Sequence, residues 1–116
     1  MSSKLHYLEV VIPEVSSVCK TYIASLNVSF SGPVTELGGA RIAELPEGGM
    51  LGIRPPMHDA EEATTRPYYL VDDIDAALER ASAQGALVAV PPMEIPGYGR
   101  CAIVMMGSIQ SGYWQR

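Results

Sequence analysis

Residues 66–92 read RPYYLVDDIDAALERASAQGALVAVPP. PYYLV is apolar and aromatic, and predicts a strand. DDIDAALERASAQG follows as a run of helix formers. Its acids sit at the N-terminal end, where the helix dipole favours them, and Gly85 is its stop. ALVAV then resumes an apolar run that is expected to end at Pro91 and Pro92. The unit is strand, helix, strand, with an arginine at its head.

GRCAIVMM and SIQSGYWQ add two more strands, so this half of the chain reads β-α-β-β-β. The first half has the same order. KLHYLEVVIPE is a strand closed by Pro13, which has no N–H to give to a ladder. EVSSVCKTYIASL sets Val15, Val18, Cys19, Tyr22, Ile23 and Leu26 at three- and four-residue steps, the stripe of an amphipathic helix. VSFSG, ARIAEL and GMLGIR are short strand-like pieces, and the glycine pairs of ELGGAR and PEGGML read as hairpin turns. PPMHDAEEATTRP reads as a polar linker.

The expected organisation is one domain over residues 1–116. Module one runs to about residue 55, a linker covers about 55–66, and module two about 67–116. Val15 and Ile74 open the two helix stripes, and GGMLGIR and GSIQSGYW close the two halves. That is an internal duplication, and one such unit cannot bury its sheet alone.

Bulk composition narrows the function. The 116 residues are 47% hydrophobic and carry a net charge of −5, with eight Lys plus Arg and no basic cluster. Phosphate backbones and anionic membrane surfaces both demand a cationic footprint, so nucleic acid and membrane partners are disfavoured. No apolar run approaches the ~20 residues of a membrane span. MSSKLHYLEV lacks the features of a signal peptide, and Cys19 and Cys101 lie far apart outside any zinc spacing. A cytoplasmic protein with two core thiols is expected. No phosphate-binding loop, dinucleotide fingerprint, nucleophile elbow or zinc-protease motif is present.

PYYLVDDIDAALERASAQGALVAVPPMEIPGYGRCAIVMM and the closing GYWQ resemble the second module of the glyoxalase/bleomycin-resistance/extradiol-dioxygenase superfamily, the vicinal oxygen chelate proteins. VVIPEV and TYIASL are similar to its first module, with Glu14 where the family has Asp and Thr21 where it has Phe. The resemblance implies an α+β fold of two βαβββ modules, eight strands in an incomplete barrel around a cleft. It also implies a homodimer, side by side or module-swapped. The usual chemistry of the family is a divalent metal held by four side chains, one from the first and one from the last strand of each module.

Carried onto this sequence, those positions are Tyr7, Gly52, Arg66 and Gly112. Glycine has no side chain, arginine is a permanent cation, and neutral tyrosine is a poor donor to a hard divalent ion. The expectation is therefore no metal and no cofactor. His6 neighbours Tyr7, so strand alternation sends it to the opposite face unless a bulge intervenes. His58 lies in the linker.

Arg66 and Arg54, the latter two residues past Gly52, are candidates to hold a carboxylate, phosphate or enolate oxygen through paired N–H donors. The alternative is pairing with Glu9 or Glu44, or a place at a rim or interface. Glu9 and Tyr7 are the candidate catalytic groups, Glu9 as a base or as an arginine's partner. Tyr68 and Trp114 share parity with Arg66 and Gly112 and would wall the site, beneath Tyr98 in the PGYGR loop.

The function expected is metal-independent binding of a small organic molecule, anionic or aromatic, as in resistance proteins that act by sequestration. A metal-free isomerase or lyase and a metal-dependent glyoxalase or dioxygenase are the alternatives.

Overall fold

The structure, a computed structural model, describes residues 4–116. It is an α+β chain of two βαβββ modules. The first comprises β1 (Lys4–Val11), α1 (Val15–Leu26), β2 (Pro33–Val34), β3 (Ala40–Glu44) and β4 (Met50–Arg54), with a single 3₁₀ turn over Thr35–Leu37. The second comprises β5 (Thr64–Leu70), α2 (Ile74–Ala83), β6 (Leu87–Ile95), β7 (Gly99–Met106) and β8 (Ile109–Gln115). By contacts the chain divides into two compact units, residues 7–65 and residues 66–116 together with 4–6.

In the unit of residues 7–65 the strands run in the order β2-β3-β4-β1. In the other unit the order is β6-β7-β8-β5, the same topology repeated. The first and last strands of each module lie side by side and parallel: Glu9 faces Gly52, and Tyr68 faces Gly112. Parallel neighbours cannot be joined by a tight turn, which is why each module carries its helix between them. β2 and β6 have one strand neighbour each, so the strands do not close on themselves.

Each helix covers one face of its own strands. Val15, Val18 and Tyr22 of α1 pack on Val10, Ala43, Leu51 and Ile53, with Cys19 buried among them. Ile74 and Leu78 of α2 pack on Ala102 and Val104, with Tyr113 against them. Strand side chains alternate, so the opposite faces carry the other set: Tyr7, Glu9, Gly52 and Arg54 in one unit, and Arg66, Tyr68, Gly112 and Trp114 in the other.

Two expectations about element limits differ from the structure. The apolar run before Pro91 does not stop there, because β6 continues through both prolines to Ile95. Strand β6 bonds only to β7, so a residue without an N–H is tolerated, and the ladder absorbs it through register shifts between Val88, Val90 and Met93. VSFSG is not a strand. Ser31 instead docks on Ile42 through its backbone N–H (2.8 Å) and its hydroxyl (3.1 Å), and only Pro33–Val34 pair.

The helix starts differ in a way the sequence hints at. Asp73 caps α2, its carboxylate accepting from the Ala76 N–H at 3.1 Å. Glu14 stands at the same place on α1 and makes no side-chain cap. Asp73→Ala is expected to lower unfolding stability by about 1 kcal/mol in urea denaturation, whereas Glu14→Ala leaves the midpoint within error.

Candidate functional site

The register that pairs Tyr68 with Gly112 also brings Arg66 alongside Gln110, and the Arg66 Nε donates to the Gln110 Oε1 at 2.6 Å. Arg66 is only 9% exposed. Beside it the aromatic groups form a ladder. Tyr68 meets Trp114 edge to face, with centroids 5.6 Å apart, and His6 also meets Trp114, with centroids 5.3 Å apart. Such T-shaped contacts fix ring positions as well as burying area. Trp114 is 1% exposed and donates its indole N–H to the Tyr98 carbonyl at 2.8 Å. The Tyr98 loop is thereby held to the aromatic ladder by its backbone.

His6 is on the ladder because its ring reaches Trp114, although its strand position next to Tyr7 sends alternate side chains to opposite faces. Burial holds its imidazole below the ordinary histidine range, and the positive charges of Arg116 and Lys4 push the same way.

In the other unit, Glu9, Gly52 and Arg54 share a face with Tyr7. The Arg54 Nε donates to Glu9 Oε2 at 2.7 Å. Its two terminal nitrogens donate to the two oxygens of Glu61, at 2.9 and 2.7 Å, a bidentate fork. The Glu61 hydrogen bonds, followed by those of Glu9, hold the guanidinium firmly as a cation against the opposing effect of burial. Arg54 thus pairs with carboxylates, that of Glu9 and that of Glu61 from the linker.

The twin glycines have a shared structural meaning. A Cβ at Gly52 would fall inside the phenol end of Tyr7, and one at Gly112 inside the ring of Tyr68. Tyr7 and Tyr68 are both buried. Each glycine is the place where a tyrosine side chain crowds the strand backbone.

The structure therefore gathers the sequence candidates into two groups. Tyr7, Glu9, Gly52 and Arg54 stand together in one unit, and Arg66, Tyr68, Tyr98, Gly112 and Trp114 in the other. Two polar partners were not foreseen. Gln110 is two residues before Gly112, and strand parity alone places it beside Arg66. Glu61 lies in DAEE, which reads as a solvated run, and no local pattern marks it.

Among the described residues, no three His, Cys, Asp or Glu side chains are grouped to hold a metal ion. No described helix is long and apolar enough to cross a membrane.

No family model and no curated protein sequence matches the chain. Solved structures do. A hypothetical protein from Bacillus halodurans C-125 aligns with a TM-score of 0.79 at 14% identity, covering 100% of this chain and 96% of that one. Methylmalonyl-CoA epimerase from Mycobacterium tuberculosis aligns with a TM-score of 0.73 at 14% identity, over 96% of this chain and 86% of that one. The Streptomyces coelicolor methylmalonyl-CoA epimerase in complex with 2-nitronate-propionyl-CoA gives 0.69 at 13% identity, over 97% and 96%. At such identities the likeness is one of fold alone.

Two measurements probe this geometry. Gly112→Ala is expected to destabilise the protein by about 1–3 kcal/mol through overpacking against Tyr68. In a Tyr68→Val background the same substitution costs less than half as much, and equal costs in the two backgrounds would show that the ring is not what the glycine accommodates. For His6, a folded-state pKa below the unfolded value means that the unfolded chain binds the extra proton first. Stability is then full above about pH 6.5 and declines as pH falls below it. His6→Phe, which keeps the ring contact, should flatten that decline in thermal melts between about pH 7 and 5.

Proposed function

We propose that the protein binds a small organic anion without a metal ion, through Arg66 and the aromatic ladder beside it. The observation that carries this reading is the fate of the positions at which the superfamily places its metal ligands. Two are glycines overlain by tyrosine rings, one is the arginine tied to Gln110, and one is Tyr7 itself. These residues do not fit a divalent ion, which needs several converging oxygen or imidazole donors. A guanidinium suits a ligand carboxylate, phosphate or enolate oxygen through its paired N–H donors, and Gln110 orients it. Tyr68 and Trp114 suit the flat or apolar part of such a ligand.

A second reading is a metal-free isomerase. It is supported by the fold shared with methylmalonyl-CoA epimerases, with Tyr7 and Glu9 as the groups to carry proton transfer. Binding without turnover is favoured over it, because the Glu9 carboxylate is engaged with Arg54 at 2.7 Å.

The family resemblance supports a homodimer, as do the exposed apolar side chains of Leu87, Val88 and Met93 on β6. The two buried cysteines, which are not joined in a disulfide, suit a reducing, cytoplasmic setting.

Trp114 is the single tryptophan, so its fluorescence reports on this site directly. Titration with methylmalonyl-CoA, coenzyme A, methylmalonate and benzoate is expected to give a saturable change with at least one of them. The change should be unaffected by chelator or by added manganese, nickel or zinc. Arg66→Met should weaken it by about tenfold or more, with sedimentation of the same samples reporting the dimer. Binding that requires a divalent ion overturns the proposal. Incorporation of deuterium from D₂O into methylmalonyl-CoA replaces it with the isomerase reading.

A further inference from the structure

Arg54 meets two carboxylates: Glu9 accepts from its Nε at 2.7 Å, and Glu61 takes the guanidinium fork at 2.9 and 2.7 Å. Glu61 belongs to no helix or strand. It lies on the segment of residues 55–63, which leaves the end of β4, passes Pro55 and Pro56, and turns back where the Glu61 N–H donates to the His58 carbonyl at 3.1 Å. The same carboxylate accepts from the Met57 N–H at 2.7 Å. Beneath this strap, Gly38 (φ 69°) has no side chain to obstruct Met57 or the Arg54 stem. A Cβ there would lie 2.6 Å from the Met57 methyl and 3.1 Å from Arg54 Cδ.

Met57, His58, Asp59, Ala60, Glu62 and Ala63 are all exposed, and the strap is held by the polar contacts of Glu61 and by Arg54, which also donates to the Pro55 carbonyl at 3.2 Å.

We propose that the Arg54 fork is a carboxylate-binding site occupied by the chain's own Glu61, and that residues 55–63 form a displaceable strap which a ligand carboxylate opens by taking the place of Glu61. The exchange is charge-neutral: one carboxylate leaves the guanidinium as another arrives, and Glu9 remains bonded to Arg54. The geometry of the bidentate pair is the same for any carboxylate. What Glu61 has in its favour is its tether. A carboxylate on so short a loop competes at an effective concentration of roughly millimolar or above. External ligands are therefore weakened until the tethered group is removed. The inference rests on the organic-anion reading for its class of ligand, and uses residues of the other unit to extend it.

Amide hydrogen exchange at Met57, read by NMR with malonate as the probe, tests the strap. Most ligand binding slows exchange, but displacement of Glu61 frees the Met57 N–H, so malonate is expected to speed it in the unaltered protein. Glu61→Ala should bind malonate about tenfold more tightly than the unaltered protein, and Glu61→Gln, which keeps a neutral acceptor, should fall between the two. Unchanged or slowed Met57 exchange over the whole titration overturns the proposal, as does equal malonate affinity in the unaltered and Glu61→Ala proteins. If Trp114 fluorescence responds to a ligand of the panel while Met57 exchange does not respond to malonate, the strap fails and the Arg66 reading stands. Strap opening with no Trp114 response to any panel ligand is the reverse result.

Discussion

A four-stranded sheet with one helix on it has one face committed to the core, and strand alternation then dictates what the other face receives. In the unit of residues 7–65 the helix-covered face takes Val10, Leu51 and Ile53, and the other takes Tyr7, Glu9, Gly52 and Arg54. In the second unit, Ala102, Val104 and Tyr113 go under the helix, and Gln110, Gly112 and Trp114 go to the other side. A slip of one residue in either register would exchange these sets and bury an arginine under a helix. The candidate chemistry is thus fixed by the same period of two that builds the core.

The parallel pairing of first and last strands then decides which polar groups meet. Because Glu9 is level with Gly52, Arg54 is one step along the same face and reaches the Glu9 carboxylate. Because Tyr68 is level with Gly112, Arg66 is one step back and reaches Gln110. The duplication repeats the geometry with different partners: one arginine meets the carboxylates of Glu9 and Glu61, and the other meets the amide of Gln110.

The glycines carry a similar lesson. Read from the sequence, Gly52 and Gly112 are ligand positions that lost their side chains. In the structure each is the footprint of an aromatic ring, Tyr7 on one and Tyr68 on the other. A bare glycine in a strand is unfavourable for backbone entropy and packing, and the covering ring offsets part of that. The rings come from different register positions, Tyr7 diagonal to its glycine and Tyr68 directly opposite.

The duplicated βαβββ order, both helices, the helix-facing core and the parity that groups Tyr7, Glu9, Gly52 and Arg54, or Arg66, Tyr68, Gly112 and Trp114, were determined by the sequence alone. All of these follow from local periodicity, which a single chain displays along its length. The passage of β6 through Pro91 and Pro92 was decided by that strand having a neighbour on one side only. The capture of Arg54 by Glu61, the rings over the glycines and the contact of His6 with Trp114 depend on side chains distant in the chain meeting in space. No period in the sequence records such meetings, so only the tertiary structure could decide them.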